Sequence, residues 1–170
     1  MVGRPPFFSG LILIDTWGEY WIEKNKVFSA RETYGRILDT VQYLDIEQTF
    51  YHTLYKMPCH DLFKTYFQEN LKVIESLPDL QQYLPPGSAV LVGGGSFGGC
   101  FHHNPLGVIS LIKANYQVFT HPGIIMLDWE SENTPTYAKH VEMIENDKII
   151  KWRSNNLGIY RAARFINDGE

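Results

Sequence analysis

The residues with the densest chemical potential are at 93–100, where "GGGSFGGC" sets five glycines in seven residues ahead of Cys100. The apolar segment "SAVLVG" (88–93) leads into them and reads as a strand, while a helix is expected to start near the cysteine. A thiol at a helix start meets free N–H groups and the positive end of the dipole, so the pattern predicts a lowered pKa and a thiolate nucleophile. Glycines let backbone N–H groups approach a reacting carbonyl, as an oxyanion hole requires. The second candidate is Asp15, in the run "GLILIDTW" (10–17). In an open parallel sheet ligands bind beyond the carboxyl ends of the strands, so neighbouring strands would aim this carboxylate and thiol into one crevice. A buried cysteine beside a flexible turn is the plainer alternative.

Other chemistries fit the same residues less well. Gly93, Gly95 and Gly98 spell G-x-G-x-x-G and could cradle the phosphates of a nucleotide, but the acid expected about twenty residues on is missing: the next strand ends at Thr120–His121, and Asp128 comes too late. An aspartate-nucleophile phosphatase would need a second acid where Trp17 stands, so a magnesium ligand would be lost. His102 and His103, with His52 or His60, suggest a metal, yet adjacent helical side chains diverge by roughly 100° and rarely share one ion. No metal is expected; instead one of His102 and His103 lines the pocket and the other is solvated. Trp17, Tyr20 and Trp21 in "DTWGEYW" are candidates for an apolar substrate wall, with core packing as the blander account.

The elements that must position these groups alternate. After the strand at 10–17, "SARETYGRILDTVQYLD" (29–45) has helical spacing, with Ser29 as the candidate cap. "QTFYHTLYK" (48–56) reads as a strand with Lys56 near its end, and 60–84 as a helix broken near Pro78. A helix over 100–114 closing at Asn115, then strands at 116–121 and 123–128, complete an α/β pattern: a three-layer α/β/α fold with a mainly parallel sheet. From 130 the texture changes, and 130–170 reads as a C-terminal extension, either antiparallel strands or a partner-binding flap. The whole chain is expected to be one domain.

Composition narrows the functions further. The 170 residues are 44% apolar and 20% charged with a formal net charge of −4, which suits a globular protein without a basic footprint for nucleic acid. No apolar run approaches the ~18 residues of a membrane span. The segment "MVGRPPFFSG" lacks the apolar core of a signal peptide, so a cytoplasmic location is expected. The neighbourhoods of Cys59 and Cys100 differ, which argues against a structural disulfide.

Taken in order, "LILIDTW", a middle strand ending in Lys56, "LVGGGSFGGC" and "NYQV" resemble the isochorismatase-like cysteine hydrolases, which include nicotinamidases. The resemblance spans 10–128. It implies a Rossmann-like three-layer fold with Asp15 as general base, Cys100 as nucleophile and Lys56 as the cation beside the carboxylate. Lys64 is a rival for that last role. Gly94 corresponds to the family glycine six residues before the cysteine, and the amides of Gly99 and Cys100 would be the oxyanion donors. The implied reaction is attack on an amide carbonyl of a small molecule, a thioester, and hydrolysis, with no cofactor. The family also commonly forms homo-oligomers, which "QTFYHTLY" would suit. The chain departs from the pattern in lacking about one strand–helix unit between Asp15 and Lys56 and in having Phe97 where threonine is usual. A non-catalytic relative serving binding or assembly is the competing reading.

Overall fold

The computed structural model describes residues 7–126, apart from Tyr43 and Gly98, together with Asn146. The expected extension at 130–170 and the end of the expected strand at 123–128 therefore lie outside the described residues.

Five strands, β1 (Phe7–Ile14), β2 (Asp45–His52), β3 (Leu71–Val73), β4 (Ala89–Gly94) and β5 (Gln117–Phe119), form one sheet in the order β3-β2-β1-β4-β5. Every pair in it is parallel. The helices are α1 (Glu19–Asn25), α2 (Ser29–Val41), α3 (Asp61–Phe67), α4 (Leu77–Tyr83), α5 (Cys100–His103) and α6 (Val108–Lys113). Alternate residues of β1 feed two cores. Leu11 and Leu13 pack with Tyr34, Ile37 and Phe63 of α2 and α3, and Ile12 and Ile14 pack with Leu80, Phe101 and Leu111 of α4, α5 and α6. Helices on both faces of a parallel sheet make the three layers the alternating pattern predicts.

Several boundaries differ from the sequence expectation for physical reasons. Ser29 is the first residue of α2 rather than its cap, and no side chain caps that end. The second strand stops at His52, opposite Ile14 of β1, which leaves Lys56 exposed in a bend. The helix expected over 60–84 is interrupted by β3, whose Leu71–Val73 pair with Thr49–Tyr51; sheet pairing overrides helical propensity there. Pro78 breaks nothing, since it sits in the first turn of α4, where Ser76 accepts from the Asp79 N–H. The helix expected over 100–114 is two helices, separated by Asn104, Pro105, Leu106 and Gly107. Pro105 has no N–H to continue α5, and a Cβ on Gly107 would come within 2.9 Å of the His102 and Phe101 carbonyl oxygens. Asn115 does adopt the left-handed conformation, at φ 67°. Among the described residues no helix is long and apolar enough to cross a membrane.

Candidate active site

The sheet order brings Asp15 and Cys100 together. Strand β1 is flanked by β2 and β4, and its last residue, Ile14, pairs with His52 on one side and Gly94 on the other. The connection leaving β1 crosses the face packed by α2, whereas the one leaving β4 crosses the face packed by α5 and α6. The gap between those diverging connections is the topological switch point, where open α/β sheets bind ligands. Asp15 follows β1 directly into that gap, with its N–H bonded to the His52 carbonyl at 3.1 Å and φ at +52°, a left-handed turn that aspartate tolerates.

The glycine run supplies the opposite wall. Gly94 has φ +109°, and a Cβ there would collide with the Ile14 carbonyl, so the chain can turn beside β1 only with glycine. A Cβ on Gly95 would come within 2.7 Å of Met126. The loop is pinned by Gly95 N–H to Ile14 O at 3.0 Å, Phe97 N–H to Met126 O at 2.8 Å and Phe101 N–H to Ser96 O at 3.2 Å. It delivers Cys100 to a pocket lined by Asp15, Trp17, Trp21, Gly95, Ser96, Cys100 and Met126. Trp17 and Trp21 meet edge to face at 4.4 Å, and the Trp17 indole donates to Thr53 Oγ1 at 3.1 Å, which fixes the aromatic wall.

The electrostatics of the pair are unusual. Asp15 is only 4% exposed, and neither carboxylate oxygen closes a hydrogen bond of good geometry among the described residues. Burial pushes its pKa up; the nearby Cys100 thiol and Thr53 hydroxyl, then the charge of His52, pull the other way. The Cys100 thiol is pushed up to about 12 by burial, then by its close approach to Asp15 and by that carboxylate's charge. This reverses the expectation of a lowered thiol pKa. Helix α5 is a single turn of four residues, too short for its dipole to offset a buried carboxylate facing the sulfur. Cys59, bonded to Thr16 Oγ1 at 3.3 Å, is also pushed up, to about 11, and both cysteines are free thiols.

Of the other predicted site residues, Trp17 and Trp21 line the pocket, but Tyr20 is 77% exposed under Lys24 and does not. His103 is exposed, and His102 is buried against Phe97 and Phe101; neither lines the pocket. Lys56 and Lys64 line a different, larger cavity of about 750 Å³ with Tyr55, Cys59 and Glu75, and neither reaches the Asp15–Cys100 pocket. The Gly99 N–H is occupied by the Ser96 carbonyl at 3.0 Å, while the Cys100 N–H is directed at its own sulfur. Among the described residues, no three His, Cys, Asp or Glu side chains are grouped to hold a metal ion. Ser96 and Met126 of the lining, and Thr53 beside Asp15, are absent from the sequence-predicted set. For Thr53 a signal existed, because it follows the strand end that pairs with Asp15's own strand.

No protein-family model matches the sequence, and no curated protein matches it. Among solved structures, the nicotinamidase SaPncA from Staphylococcus aureus is similar over 82% of this chain and 96% of its own, with a TM-score of 0.53 and 15% identity. The chain thus shares the α/β fold of that nicotinamidase, with Asp15 and Cys100 at the switch point of its sheet.

Proposed function

We propose that the chain is a cysteine amidohydrolase acting on a small amide. The observation that carries this reading is a buried carboxylate set against a thiol in an aromatic-walled pocket at the switch point. The fold it shares with a nicotinamidase supports the same reading.

With the resting thiol protonated, the thiolate forms only as Asp15 takes the Sγ proton, so the two residues act as one unit. The sulfur attacks the amide carbon, and the oxyanion forms beside the Cys100 N–H. Asp15 returns the proton to the leaving nitrogen, the C–N bond breaks, and an acyl thioester remains on Cys100. Water then gives a proton to Asp15 and attacks the thioester; the C–S bond breaks, the carboxylic acid leaves, and Asp15 returns its proton to Sγ, restoring the thiol. Trp17, Trp21 and Met126 favour a substrate with an apolar, flat flank against them. Lys56 has no step, given its place in the other cavity.

The test is ammonia release from a panel of small primary amides, with intact-mass detection of an acyl adduct. Cys100→Ala is expected to abolish both turnover and adduct, and Asp15→Asn to lower turnover by about 10²–10⁴-fold. A wild-type chain that turns over no amide and forms no adduct on Cys100, or an Asp15→Asn chain of undiminished activity, overturns the reading.

A further inference from the structure

The positive neighbour that acts on Asp15 from the adjacent strand is His52, not a lysine. His52 ends β2, is 0% exposed, and is paired with Ile14, so its ring stands beside the turn that carries Asp15. Both ring nitrogens face oxygens: Nδ1 is 2.8 Å from the Ile74 carbonyl and Nε2 is 2.5 Å from Asn104 Oδ1. A carbonyl oxygen and an amide oxygen only accept, so with the Asn104 amide in this orientation, which leaves its Nδ2 unpartnered among the described residues, a ring that satisfies both donates twice. Asn104 in turn caps α5, its N–H bonded to the Cys100 carbonyl at 3.0 Å. One chain of contacts therefore runs from β3's end through His52 and Asn104 to the helix that starts with the nucleophile.

We propose that His52 is held as a buried imidazolium and is the positioning residue that supplies Asp15 with its positive neighbour, the place the sequence resemblance assigns to Lys56. This rests on the amidohydrolase reading for its purpose, but not for its physics. An unpaired buried cation is costly, and Asp15 is the acid that acts on His52 from β1; the contacts from Ile74 and from α5 are neutral oxygens. The pairing is reciprocal: the cation opposes the burial that pushes Asp15 up, which favours the carboxylate that receives the thiol proton. The link through Asn104 fixes the height of α5, and with it the distance between Cys100 and Asp15.

Nuclear magnetic resonance on the full chain tests this without requiring turnover. With ¹⁵N-histidine at pH 7, both His52 ring nitrogens are expected at protonated shifts, and Asn104→Ala is expected to release Nε2. With ¹³C-labelled aspartate, assigned by the signal lost in Asp15→Asn, His52→Gln should move the Asp15 carboxyl titration to higher pH by at least a tenfold change in proton affinity, while Lys56→Ala leaves it in place. A His52 ring with one bare nitrogen, or a titration moved by Lys56→Ala and not by His52→Gln, overturns the inference. If His52→Gln does not fold, the wild-type ring shifts alone decide. Should amide turnover be absent while the ring is doubly protonated, the amidohydrolase reading fails and this one stands.

Discussion

Thr53 shows how finely the Asp15 carboxylate is balanced. Its Oγ1 accepts from the Trp17 indole at 3.1 Å and from the Tyr55 N–H at 3.1 Å. With both lone pairs used, its own O–H proton is left for Asp15, where it opposes the upward push of burial. Thr53→Val removes that donor and frees the indole at once. Because Asp15 can serve as the proposed base only when ionised, the acid side of the kcat/KM profile for amide hydrolysis is expected to move to higher pH, with a loss of about tenfold below neutrality. Thr53→Ser keeps the hydroxyl and should restore the profile. A pH-independent loss in Thr53→Val would instead mean that the hydroxyl only holds Trp17 in place.

At the scale of elements, the turn at Pro122–Ile124 sets the height of the pocket wall. His121 Nδ1 accepts the Gly123 N–H at 2.9 Å, Arg36 Nε donates to Gly123 O at 2.7 Å, and Met126 N–H bonds to Gly94 O at 2.8 Å. Burial and the Arg36 charge push His121 from 6.5 down to about 4. Between those values the unfolded chain binds more protons than the folded one, so stability is fully present above pH 6.5 and falls as the pH drops toward 4. Protonation also destroys the acceptor that caps the turn. Urea unfolding is expected to show a loss on the order of 1–2 kcal/mol between pH 7 and 4.5 that His121→Asn, which retains a capping oxygen, largely removes. An unchanged loss in that variant would place the acid sensitivity elsewhere.

The same scale explains what the sequence revealed. Asp15 and Cys100 were legible because each follows a short apolar run that can only be a buried strand, and a glycine is the sole residue that can turn beside Ile14. Lys56 misled because "TLYK" continues the β-branched and aromatic texture of β2, while the strand stops where its neighbour β1 stops. His52, Asn104 and Met126 reach the site through pairings between segments 22 to 52 residues apart or through a turn, and local pattern does not encode such meetings. The three-residue β3 was missed for a related reason: its residues become a strand only because β2 offers them an edge.

For the whole molecule, the decisive property is that β1 is covered on both faces and both sides. A sheet with one wet face would place alternate β1 residues in water, and truncating them would cost little. Here Leu11 and Ile12 point to opposite layers, and each is fully buried, in one cluster with Tyr34 and Ile37 and in the other with Phe101 and Leu111. Leu11→Ala and Ile12→Ala are therefore both expected to destabilise the protein by about 2–5 kcal/mol in urea unfolding, because each deletes transfer energy and leaves a cavity. Phe7→Ala, at a residue 53% exposed, is expected to stay within about 0.5 kcal/mol. A small effect at Leu11 alone would detach the α2 layer from the core, and one at Ile12 alone would detach the layer of α5 and α6. Either result would remove the diverging connections that place Asp15 opposite Cys100, so stability at two adjacent core positions tests the architecture on which the site depends.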